Sequence, residues 1–163
     1  MSEISSTVIK KMITYFGNDI KRINHALKVY SFSKTIGELE KLDDHQMFIL
    51  ELASILHDIG IKESERKYNS SAGNYQEIEG PPVARKLLED IELNNNVVDR
   101  ICFLIGNHHS YNKIDGIDLQ ILIESDFLVN AYEDNLKRPD INYMNHKYFK
   151  TPSGKEFLRS MYL

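Results

Sequence analysis

The sequence has no tryptophan, one cysteine, four prolines and eight glycines in 163 residues. Cys102 alone can form neither an internal disulfide nor a thiolate cluster, which excludes a disulfide scaffold and a cysteine-rich zinc site and fits a reducing compartment. So little proline and glycine argues against a disordered or fibrous chain. A cationic surface is also lacking: 20 Lys and Arg stand against 24 Asp and Glu, for a formal net charge of −4. The basic residues are scattered, so a nucleic-acid partner is not expected, and an anionic substrate would need a local source of positive charge such as bound metal ions. No stretch approaches the ~18 apolar residues of a spanning helix, and MSEISSTVIKKM has no apolar signal region. These absences predict a soluble cytoplasmic protein without a membrane partner.

Hydrophobic residues make up 42% of the chain and charged residues 27%, a globular balance. The length favours one domain, 1–163, with a core at about 20–136. The tail 138–163, with Tyr143, Tyr148, Phe149 and Phe157, is aromatic enough to pack on that core or on a second subunit, which leaves a homodimer open. Apolar residues recur at helical spacing, as in Ile20, Ile23, Leu27 and Tyr30, and no sustained period of two occurs. The pattern predicts an all-α protein of about seven helices at 3–16, 19–40, 44–58, 80–91, 95–109, 118–134 and 152–161. Asp19, Asp43 and Asp118 are expected as N-caps. The segment 61–78, rich in Lys, Arg, Ser, Tyr and Gly, reads as a long loop, either functional or disordered.

Chemistry concentrates at polar residues set into apolar helix faces. His57 and Asp58 end the run Leu52, Ala53, Ile55, Leu56. A lone His-Asp pair is usually structural, the ring bonded to a carbonyl and the carboxylate capping a helix. Burying both against a core costs several kcal/mol unless they are paired or coordinated. His25 shares a stripe with Val29, Phe32 and Ile36. Asp126 interrupts QILIESDFLVNAY, although Asp is a poor helix-interior residue. His108 and His109 end the apolar pattern VVDRICFLIGNHH. Several such positions converging in one bundle point to a metal site. His45 and His146 lie in polar surroundings and are expected at the surface.

The order His25, His57-Asp58, Asp126 resembles the H…HD…D signature of the HD-domain superfamily of metal-dependent phosphohydrolases. The resemblance covers about Arg22 to Leu136 and includes the RxxH context of His25, the LHDIG context of the dipeptide and an IxxH pattern at His108. It implies a single-domain orthogonal helical bundle, with His25, His57, Asp58 and Asp126 holding one divalent ion and Asp58 free to bridge to a second. The binuclear branch has two further histidines. Here Glu79 stands before Gly80-Pro81 in place of one, either as an oxygen ligand or as a charge at a helix N-terminus, and His108 stands in place of the other. His109 would contact substrate or join the metal shell.

Mixed imidazole and carboxylate ligation suits Fe, Mn, Ni, Co or Zn, one or two ions per chain. Such an ion lowers the pKa of bound water and neutralises charge on a phosphoryl group, with Asp58 orienting or deprotonating the nucleophile. In the 61–78 segment Lys62, the first choice as a catalytic cation, and Arg66 could bind phosphate oxygens beside Ser70 and Ser71, although each is also an ordinary surface residue. Arg22, one turn before His25, could pair with a carboxylate or reach substrate. The expected function is hydrolysis of a phosphomonoester or phosphodiester bond in a small molecule, with nucleotides the favoured class. Two alternatives stay open: a di-iron oxygenase of the same fold, and a metal- or nucleotide-binding regulatory module without turnover.

Overall fold

A computed structural model describes residues 3–163. Nine helices are found among them: α1 (Glu3–Phe16), α2 (Ile20–Leu39), α3 (Asp44–Leu56), α4 (Ile61–Tyr68), α5 (Gly73–Leu88), α6 (Asn95–Ile105), α7 (Ile117–Glu133), α8 (Arg138–Lys147) and α9 (Pro152–Tyr162). The all-α class stands, with more helices than the apolar pattern suggested.

The central pieces are α2, α3 and α7, with α2 packed most extensively on the other two. Asp19 starts α2 by accepting the Arg22 amide at 3.2 Å, and Asp43 starts α3 through a capping box with Gln46. Asp118 does not cap α7. That position belongs to Gly116, and Asp118 lies in the first turn, where its carboxylate meets Arg100 at 2.6 Å. Leu50, Leu52, Leu56, Ile101, Leu104 and Leu122 fill the common core with no exposure. Burying a side chain of this kind stabilises by about 1.5–3 kcal/mol.

The segment read as a long loop is mostly helical. In α4 only Ile61 and Ser64 are buried, so its inward face is too narrow to register as an apolar stripe. Helix α5 begins at Gly73 and runs through Pro81 and Pro82, which therefore do not mark its start. Two N–H donors are lost there, but the close packing of the helix holds its course. A Cβ on Gly60 would lie 2.7 Å from the Gln76 carbonyl and collide with the Gly80 backbone, and one on Gly80 would lie 2.6 Å from Ile105 Cγ2. Glycine at 60 is thus required by the close approach of the α3–α4 corner to α5, and glycine at 80 by the close approach of Ile105 on α6.

The tail forms α8 and α9. Pro139 sits in the first turn of α8, where its missing N–H costs nothing. Phe149 is buried against Phe127 with ring centroids 5.7 Å apart, and the Tyr162 hydroxyl donates to the Leu128 carbonyl at 2.5 Å. Both contacts lie on α7, the helix that also carries Asp126.

Candidate metal centre

Two helices end at the same place, and each is closed by its own histidine. His57 follows the last turn of α3, and its Nδ1 donates to the Ser54 carbonyl at 2.8 Å. His108 follows α6, and its Nδ1 donates to the Ile105 carbonyl at 2.7 Å. Each ring thereby satisfies a carbonyl near a helix end and turns Nε2 outward. The negative ends of two helix dipoles also lie near the site, a setting that favours a cation.

Helix α2 brings His25 and α7 brings Asp126. His25 Nε2 lies 3.1 Å from His57 Nε2 and 3.1 Å from Asp126 Oδ1. Asp58 Oδ2 lies 3.5 Å from His25 Nε2 and 3.6 Å from His57 Nε2, while its Oδ1 is 3.4 Å from His108 Nε2. Asp58 thus turns one oxygen toward each half of the cluster. His108 Nε2 is buried without a hydrogen-bond partner, 3.4 Å from Asp58 Oδ1.

These distances test whether a metal ion fits. His25 Nδ1 is engaged by Glu133 Oε2 at 2.9 Å and His57 Nδ1 by a carbonyl, so with both rings neutral each Nε2 presents a lone pair. Two such nitrogens face each other beside two carboxylates, an arrangement that repels itself unless a proton or a cation lies among them. The donor set and the orphaned His108 nitrogen suit a divalent ion. His25, His57 and Asp58 form one possible ligand group, and Asp58, His108 and His109 another.

The charges respond as this geometry requires. Burial alone would lower His25, but the hydrogen bond to Asp126 and the nearby Asp58 carboxylate push it up to about 9. Burial likewise opposes ionisation of Asp58, yet the facing imidazoles hold its carboxyl below the usual range; the same balance holds Asp126 well below it. His109 is pulled down to about 4, first by burial and then by the adjacent His108. It is therefore a neutral ring at pH 7, not a cationic anchor.

Above the cluster is a cleft of about 380 Å³, bordered by Arg22, His25, Asp58, Ser71, Gln76 and His109 among others. His57 and His108 lie fully buried beneath it. Gln76, absent from the sequence reading, is buried on α5 with its Nε2 on the Ser71 carbonyl at 2.7 Å and its Oε1 3.4 Å from His109 Nε2. Asn130 and Glu133 were also missed. Asn130 Nδ2 donates to Asp126 Oδ1 at 2.9 Å. The spacing 126, 130, 133 is one face of a helix, and that was the available signal.

Four expected residues lie elsewhere. Lys62 is exposed and donates to the Tyr15 carbonyl at 2.7 Å, which ties it to α1 and corrects its expected catalytic role. Arg66 is exposed and paired with Glu63 at 2.8 Å. The Ser70 hydroxyl accepts from the Ala72 amide at 3.2 Å, and Ser70 does not border the cleft. Glu79 receives Lys67 at 2.6 Å and Tyr68 at 2.9 Å and borders a separate hollow of about 580 Å³, so it is not part of the cluster. Arg22 borders the cleft, but its guanidinium is held by Glu65 at 2.5 Å and Asp19 at 2.8 Å. His45 and His146 are exposed.

No curated protein matches the chain. Its fold is similar to the crystal structure of a predicted HD superfamily hydrolase from an uncultured Thermotogales bacterium, with a TM-score of 0.67 at 20% identity, over 94% of this chain and 82% of that one. The HD domain family model matches residues 22–140, a span that contains His25, His57, Asp58, His108 and Asp126. The chain therefore belongs to the HD domain family, whose members bind divalent metal.

Proposed function

We propose that the protein is a metal-dependent phosphohydrolase that cleaves a phosphomonoester or phosphodiester bond of a small cytoplasmic molecule, with nucleotides the favoured class. The observation that carries this reading is the convergence of His25, His57, Asp58 and Asp126, from α2, the α3–α4 corner and α7, on one point beneath an open cleft. A bound divalent ion supplies Lewis-acid chemistry there, activating water and offsetting charge on the phosphoryl oxygens.

The chain's own groups orient that chemistry. Asp58 is the more exposed of the two ligand carboxylates, at 16% of its side chain against 6% for Asp126. It is therefore the carboxylate placed to accept a hydrogen bond from a water in the cleft and so orient it, while Asp126, fixed by Asn130, stays a ligand. Gln76 holds the Ser71 segment against the cleft and faces His109. Because Asp19 and Glu65 engage Arg22, attraction of a phosphate depends on the ion and on Lys21 at the rim.

A screen of phosphorylated metabolites with Mn, Fe, Ni, Co or Zn restored to chelated protein tests the reading. Release of inorganic phosphate or a phosphomonoester from one substrate class, abolished by Asp58→Ala, is expected. Full turnover by a correctly folded Asp58→Ala protein sinks it. The grouping of Asp58 with His108 and His109 supports a second ion, and with two irons the same pocket would suit oxidative cleavage. Substrate-coupled oxygen consumption, lost when Mn replaces iron, would favour that second reading.

A further inference from the structure

We propose that Glu133 is a positioning residue that fixes and strengthens His25 as a metal ligand; the proposal rests on the metal-binding reading above. The imidazoles of His25, His57 and His108 reach the centre through Nε2, but they are held in different ways. His57 and His108 donate from Nδ1 to main-chain carbonyls of their own helices, Ser54 and Ile105. His25 lies inside α2, where the neighbouring carbonyls are committed to the helix. Its Nδ1 instead meets Glu133 Oε2 at 2.9 Å, and the other oxygen, Oε1, receives Lys28 Nζ at 2.9 Å.

The carboxylate is thus carried by α7 and clamped between two residues of α2 one turn apart. An imidazole that donates to a carboxylate has a fixed tautomer and is a stronger base toward a metal than one bonded to a neutral carbonyl. Among these three rings only His25 receives that reinforcement, and only its orientation depends on a contact between two helices. Glu133 also borders the cleft itself. Helix α7 therefore does three related things from one face: Asp126 is a ligand, Asn130 fixes Asp126, and Glu133 fixes His25.

A surface ion pair that merely joins α2 to α7 would behave differently. The test compares zinc affinity of wild type, Glu133→Gln and Lys28→Met by competition with a chromophoric chelator, together with the thermal midpoint of each metal-free protein. Glu133→Gln keeps an acceptor of the same size and removes its charge. Its zinc affinity is expected to fall by about 10- to 100-fold, with a thermal midpoint within a few degrees of wild type. Lys28→Met, which leaves the carboxylate on His25, is expected to lose less than about tenfold. A loss under tenfold in Glu133→Gln, or an equal loss in both variants, overturns the proposal while leaving the metal-binding reading intact. Failure of wild type itself to take up zinc overturns both.

Discussion

At the scale of single residues, His25 is where protons and metal compete. Without a metal its ring keeps a proton up to about pH 9, because the Asp126 and Asp58 carboxylates outweigh burial. An arriving cation must displace that proton. Zinc uptake at pH 7 is therefore expected to release about one proton from this ring, read by calorimetry in buffers of different ionisation enthalpy, and affinity should rise with pH until about 9. Proton-neutral uptake would contradict this. The stability His25 adds to the metal-free fold has the opposite slope: it is fully present below about pH 6.5, the ordinary histidine value, and is lost as pH rises through about 9. His25, His57, Asp58 and Asp126 were legible in the sequence because each interrupts an apolar helix face where a polar group needs a reason. Gln76, Asn130 and Glu133 were not, because a polar residue beside other polar residues looks like any solvated face. Lys62 and Arg66 misled for a related reason: closeness in sequence to Asp58 does not say which side of α4 a side chain leaves from.

At the scale of elements, the ligands are held by a few close junctions. Gly60 brings the corner carrying His57 and Asp58 against α5, and its Cβ would meet backbone that cannot swing aside. Gly60→Ala is expected to lower stability by about 2–3 kcal/mol and to weaken metal binding as well, measured by denaturant unfolding and chelator competition. Glu124 does a different job. Fully buried on α7, it accepts from Gln120 at 2.7 Å, from the Lys150 amide at 2.6 Å, from the Thr151 amide at 3.0 Å and from the Thr151 hydroxyl, so it pins the start of α9. Glu124→Ala would leave the buried Thr151 amide and hydroxyl without their acceptor, at about 2–4 kcal/mol, and should lower the thermal midpoint by about 5–15 °C without changing the metal stoichiometry. Unchanged stability would show that the tail needs no such anchor. None of this packing was readable in advance. The apolar pattern gave α1, α2, α3, α7 and α9 nearly to length and ran α6 four residues too far, whereas α4 has too few buried residues to show a period, and Pro81-Pro82 disguised the course of α5.

At the scale of the whole molecule, a chain of net charge −4 brings four of its six histidines, His25, His57, His108 and His109, to one cleft beside Asp58 and Asp126, and the metal is expected to act as part of the fold. An ion at 100 times its dissociation constant stabilises the native state by about 2.7 kcal/mol, which for a domain of this size raises the thermal midpoint by about 5–10 °C. The central claim is narrower: His25, His57, Asp58 and Asp126 together hold a divalent ion. Elemental analysis of purified wild type and Asp126→Ala, each verified as folded by circular dichroism, tests it most directly. The account predicts one or two transition-metal ions per wild-type chain and less than about a tenth of that in the variant. A folded Asp126→Ala protein with the full wild-type metal content would contradict it.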